Sequence, residues 1–146
     1  MAELTGGCAC GAVRWAHDGP FIRHLICHCR DCQRATSSPF AAFVGTRPEH
    51  VQWHGAPNHY QSSAQGVRGF CPDCGTRLYF RSQRWPGELH IHAGTLDDPS
   101  LYAPDTHVCV AEMVDWITLD DAVPKRDGFA RTPANRCTQD KGETDA

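Results

Sequence analysis

Three cysteines and a histidine crowd the six positions of CHCRDC, residues 27 to 32, and two more cysteines bracket the turn of CPDCG, residues 71 to 75. A third pair, Cys8 and Cys10, lies in GGCACGAV near the start of the chain. Thiolates at such spacing are metal ligands by type. Zinc takes four of them in a tetrahedron with Zn–S near ~2.3 Å, and a closed shell of four is structural whereas three protein ligands leave a position for water or substrate. The chain has nine cysteines, an odd number that cannot pair completely, and a reducing cytosol disfavours disulfides.

Cys109 stands in an apolar run, where a buried inert cysteine is expected, and Cys137 reads as an incidental exposed thiol. Seven clustered thiols remain, and seven divides as four plus three. Cys71 and Cys74 form a C-x₂-C knuckle, with Pro72 stiffening the turn and Gly75 allowing left-handed backbone. Cys8 and Cys10 are spaced like same-face neighbours on a strand, with Gly7 and Gly11 loosening the backbone around them. These four would close one site, joining the N-terminal segment to the middle of the chain. Cys27, Cys29 and Cys32 would then hold a second metal with one corner open.

Two other readings stand beside this one. Cys29, Cys32, Cys71 and Cys74 alone spell a single zinc ribbon, with Cys8, Cys10 and Cys27 left over. Alternatively the triplet is closed by a fourth protein ligand, for which Cys109, His28 and His107 are candidates, although strand alternation would turn His28 away from its neighbours.

The elements that must position these thiols read as strands. Short alternating runs separated by Gly, Pro, Asn and Asp fill the sequence: GAVRWAH, FIRHLICHC, FAAFVG, HVQWH, HYQSS, TRLYF, ELHIHAG and HVCVAEMVDWITL. In the first, Val13 and Trp15 share a face; FIRHLICHC is apolar on both faces and runs straight into the triplet. The single helical stretch expected is RDCQRATSS, about two turns ending before Pro39. The fold class is therefore all-β with short helical turns at most. Residues 1–129 make one domain, and 130–146 a flexible polar tail without aromatic or branched aliphatic residues after Phe129.

With 14 Lys+Arg against 17 Asp+Glu and a formal charge of -3, the chain lacks the basic stripe that nucleic acid demands. No run approaches the roughly 18 apolar residues of a membrane span, and no signal segment opens the chain, so a cytoplasmic protein is expected. Ser-His-Asp order, a phosphate loop and a dinucleotide-binding glycine pattern are all missing.

The segments GGCACGAV, CHCRDCQRA, RGFCPDCGTRL, HAGTLDDP and HVCVAEMVDW, over roughly residues 5 to 128, resemble the glutathione-dependent formaldehyde-activating enzyme family, whose domain is shared with centromere protein V. The resemblance implies a β-tent-like zinc-binding fold, related to zinc-binding guanine-nucleotide-exchange chaperones. It implies two zincs per chain, a structural one on Cys8, Cys10, Cys71 and Cys74 and a catalytic one on Cys27, Cys29 and Cys32. It further implies a carbon–sulfur lyase of the S-(hydroxymethyl)glutathione synthase type, acting on a small thiol such as glutathione or on its adduct. Where many members carry glycine past the triplet this chain has Ser37, a departure that bears on the substrate more than on the metal.

Three soft thiolates suit a fourth sulfur, and a metal-bound thiol is held deprotonated near neutral pH. A zinc-positioned water attacking a carbon–nitrogen double bond is the competing chemistry, and a non-enzymatic zinc-stabilised binding module is the rival from another class. Carboxylates of glutathione would call for arginine, and Arg30, Arg34, Arg68 and Arg77 flank the thiols, each reading by default as a solvated surface charge. His90 and His92 alternate on one strand face, expected to be a polar outer one, and Asp97 and Asp98 before Pro99 read as turn residues.

Overall fold

The computed structural model describes residues 3–129 of the 146-residue chain. The tail and Cys137 lie outside the described residues. In chain order the strands are β1 (Leu4–Gly7), β2 (Arg14–His17), β3 (Arg23–Cys27), β4 (Ala41–Thr46), β5 (Val51–His54), β6 (Asn58–Gln61), β7 (Gly66–Phe70), β8 (Arg77–Ser82), β9 (Leu89–His92) and β10 (Thr106–Val108). One helix, α1 (Arg30–Thr36), follows β3, and a few single-turn 3₁₀ segments complete the described chain. The mostly-β class expected from alternation is what the structure has.

Two sheets form. β1, β2 and β5 make an antiparallel three-stranded sheet, and the remaining strands make a seven-stranded one in the order β10-β3-β4-β9-β8-β7-β6. Within the larger sheet only the β10–β3 pairing is parallel. The two faces of this sheet differ because side chains alternate along each strand. On β4, Val44 joins Trp15, Val51, Leu78 and Ile91 in the core shared with the small sheet, while Ala41 and Phe43 join Leu25, Phe80 and Val108 on the opposite face. Trp15 anchors the first core: it is 1% exposed and its indole N–H donates to Thr95 Oγ1 at 3.0 Å.

Several elements depart from the sequence reading. HVCVAEMVDWITL supplies only His107 and Val108 of the three-residue β10; Cys109 then turns into left-handed backbone at φ 59 and a 3₁₀ turn, Val110–Glu112, replaces the expected strand. β1 and β7 were not anticipated, since LTGG and GVRGF are weighted with glycine rather than β-branched residues. At Gly69 the reason for glycine is close approach, because a Cβ there would sit 2.0 Å from the Tyr79 ring on β8.

Cys8 and Cys10 lie in the turn between β1 and β2, not on a strand, so it is the turn that brings them together. His90 and His92 do not face solvent: both are buried, on the face of β9 opposite Leu89 and Ile91. No helix among the described residues is long and apolar enough to cross a membrane.

Candidate metal centres and cavity

Cys8 and Cys10 come from the β1–β2 turn and Cys71 and Cys74 from the β7–β8 turn, and all four sulfurs lie within 4.8 Å of one another. Both turns are built to aim sulfur inward. Gly75 takes φ 79, and its amide donates to Cys71 O at 2.9 Å, closing the knuckle. Across the gap Ala9 N donates to Thr76 Oγ1 at 3.0 Å, while Val13 N donates to Cys8 Sγ at 3.3 Å. Cys8 and Cys71 are buried and Cys10 and Cys74 exposed, so the group lies at the surface with its donor set complete. The ribbon pairing of Cys29 and Cys32 with Cys71 and Cys74 is not formed, since the thiols converge as four and three.

The second group is buried throughout. Cys27 ends β3, Cys29 is the N-cap of α1 and Cys32 lies in its first turn, where its amide donates to Cys29 Sγ at 3.4 Å. Strand end and helix start thus deliver three sulfurs to one point from six consecutive residues. Among the described residues no fourth Cys, His, Asp or Glu joins them. Cys109 is buried outside the converging set. His28 is turned away, as alternation predicts, with its Nε2 2.8 Å from His107 Nδ1; His107 Nε2 in turn lies 2.9 Å from Asp121 Oδ2. Burial, reinforced by His107, pushes His28 down to about 4.

Three thiols this close cannot all ionise without a cation between them. Hydrogen bonding to Cys29 and Cys32 pushes Cys27 up, while Cys32, taking hydrogen bonds from Cys27 and Cys29 and facing Arg68, is pushed down. Both all-sulfur groups therefore suit a thiophilic ion of the zinc type: the four-thiol group by donor number, the three-thiol group by its shared negative charge.

The triplet opens into a cavity of about 540 Å³. Phe43, Phe80, Trp85 and Phe129 provide apolar wall, and Arg23, Arg68, Glu88 and His90 provide polar groups. His90, 5% exposed, has its Nε2 3.0 Å from Glu88 Oε2, and the other oxygen of Glu88 accepts from Arg23 Nη2 at 2.7 Å. Hydrogen bonding from His90 and the Arg23 charge outweigh burial and keep the Glu88 carboxyl below its ordinary range.

The flanking arginines separate cleanly. Arg30 and Arg34 are exposed on α1, and Arg77 is half-buried with its guanidinium over the Tyr60 ring at 5.1 Å. Arg68 is instead buried at 4% exposed, over the Phe80 ring at 4.5 Å, with Nη2 3.9 Å from Cys32 Sγ. Asp97 also does more than turn the chain, accepting from Thr5 and from both Arg14 nitrogens; Asp98 caps the turn at Pro99–Leu101 through Ser100 N at 3.0 Å. The Glu88 pairing and the aromatic wall were missed in sequence, because their residues come from separate strands and loops; the one local signal was the His90 and His92 alternation.

Comparison with known proteins converges on one group. The profile of the family described as glutathione-dependent formaldehyde-activating enzyme matches residues 3–112, more than half of the chain. A Schizosaccharomyces pombe protein described as an uncharacterized lyase is 31% identical over 115 residues, covering 79% of this chain and 84% of its own. A Halomonas elongata protein, assigned by name to the glutathione-dependent formaldehyde-activating enzymes, is 29% identical over 130 residues, covering 80% of this chain and 81% of its own. A crystal structure of a Rhodobacter sphaeroides protein shares the fold, with a TM-score of 0.53 at 20% identity over 83% of this chain and 98% of that one.

Proposed function

The chain belongs to the glutathione-dependent formaldehyde-activating enzyme family, and from that premise we propose that it is a lyase that makes and breaks the carbon–sulfur bond of a small thiol's adduct with formaldehyde, glutathione being the thiol that the family name supplies. The observation that carries this reading is the unequal placing of the two thiol groups: four converge at the surface, whereas three converge on a cavity of about 540 Å³. A closed four-thiol set is a staple, and an incomplete set facing a cavity has a corner for substrate. Cys8, Cys10, Cys71 and Cys74 would hold one zinc, and Cys27, Cys29 and Cys32 the other. When bound by the triplet, zinc supplies a soft cation that favours a substrate thiol in its thiolate form.

The protein's own groups account for the rest. In cleavage the electron pair of the carbon–sulfur bond goes to sulfur, the hydroxyl proton leaves oxygen, and formaldehyde departs; addition is the reverse. His90 is the cavity group suited to carry that proton, since Glu88 orients its ring through Nε2 and Arg23 fixes Glu88 in turn. The aromatic wall limits water around the reacting carbon.

The test is elemental analysis of protein purified without chelator, together with formaldehyde release from S-(hydroxymethyl)glutathione. Two zincs per chain and turnover that collapses in Cys32→Ser, by more than the roughly 10–100-fold typical of losing an outer-shell partner, are the expected results. One zinc that no added metal supplements, with no turnover by the wild type, would replace the enzyme with the binding module.

A further inference from the structure

Arg68 is a buried cation without a carboxylate partner. It is 4% exposed, makes no ion pair with a carboxylate among the described residues, and its Nη1 is buried without a hydrogen-bond partner. Taking a guanidinium out of water costs several kcal/mol unless its donors are met. The Phe80 face and the Cys32 sulfur meet part of that demand. They leave Nη1 unmet, and Arg68 lines the cavity onto which the triplet opens. One guanidinium thus joins a sulfur at one nitrogen to an unfilled donor at the other.

From this juxtaposition we infer that Arg68 is the residue that recognises an oxygen, carbonyl, alkoxide or carboxylate, carried two or three bonds from the sulfur of the substrate. It selects oxygen-bearing thiols and thiol–aldehyde adducts over plain alkyl thiols. This rests on the thiol reading above and adds a specificity-determining contact to it. Planarity matters as well as charge. A guanidinium can hold sulfur and oxygen at once through separate nitrogens, which a lysine ammonium, a compact point charge, does not reproduce.

The experiment is titration calorimetry of the metal-loaded wild type, Arg68→Met and Arg68→Lys with two probes, thioglycolate and ethanethiol, alongside elemental analysis of each protein. The wild type should bind thioglycolate about 10- to 100-fold more tightly, the range for a hydrogen bond to a charged group. Arg68→Met should bind the two equally, with ethanethiol affinity and metal content unchanged; Arg68→Lys should lose most of the preference and carries the test if the methionine variant fails to fold. A wild type without preference overturns the assignment. So does a parallel loss of both probes and of metal in the variants, which would make Arg68 a counter-charge to the thiolates and nothing more. Failure of the wild type to bind either thiol sinks the thiol reading itself and takes this inference with it.

Discussion

His92 illustrates how far a single side chain can be moved by its surroundings. Its ring packs against Phe43 with centroids 4.6 Å apart, and burial pushes it down to about 4 from an ordinary 6.5. The unfolded chain therefore takes up a proton near 6.5 that the folded chain refuses until about 4, so stability is full above the first value and declines as pH falls toward the second. The loss should reach about 3 kcal/mol at the lower end. His92→Phe removes the proton demand while keeping a ring beside Phe43. Denaturant melts of the two proteins across this window should show the wild type losing stability relative to the variant as the pH drops. Parallel curves would mean that His92 is not held neutral by the fold. Cys32 is also pushed down, but there the shift favours the charged form and not the neutral one, because the thiol takes hydrogen bonds from Cys27 and Cys29 and faces the Arg68 guanidinium; that contrast is why one residue is a packing group and the other a ligand candidate.

Among the elements, α1 bears on the departure at Ser37. That residue is the C-cap of the helix, with φ 52 and ψ 40, and it does not line the cavity. Left-handed backbone costs a non-glycine residue roughly 1–2 kcal/mol, so glycine here is a helix cap rather than a space for substrate. Ser37→Gly should raise stability by about 1 kcal/mol and leave formaldehyde release unchanged; altered turnover would return the position to the site. Gly69 runs the other way. Alanine there meets the Tyr79 ring at 2.0 Å beside the irregularity that leads β7 into the Cys71 turn. Gly69→Ala should cost about 1–3 kcal/mol by overpacking, read as a lower thermal midpoint. These two positions also mark what sequence can say. Strands such as β4 and β9 were legible because alternation is local, and so were the thiol groups, whose ligands come in pairs and triplets close in sequence. β1 and β7 were not, because their glycines answer to rings on neighbouring strands. Nor was the burial of His90, His92 and Arg68, since alternation separates two faces of a strand without saying which one a cavity will occupy.

At the scale of the whole molecule, the four-thiol group ties the β1–β2 turn of the small sheet to the β7–β8 turn of the large one. The core between the sheets already joins them through Trp15, Val44 and Ile91. The small sheet has only three short strands, however, and β1 otherwise meets the rest through the Gly6–Leu96 bridge, the Asp97 contacts and packing of Leu4. A metal in the four-thiol group would thus act on folding, because structural zinc contributes on the order of 10 kcal/mol in small zinc domains. The triplet differs, since its sulfurs come from one continuous segment already fixed by β3 and α1. Cys74→Ser should therefore lower the thermal midpoint steeply or prevent folding, whereas Cys32→Ser should keep most of the stability and lose activity. Graded chelation of the wild type should show the same order, with activity lost at chelator concentrations that leave the circular dichroism spectrum intact, and unfolding only when the second metal leaves. If both variants unfold alike, or activity and fold disappear together on chelation, the two thiol groups share one structural duty and the open cavity needs another explanation.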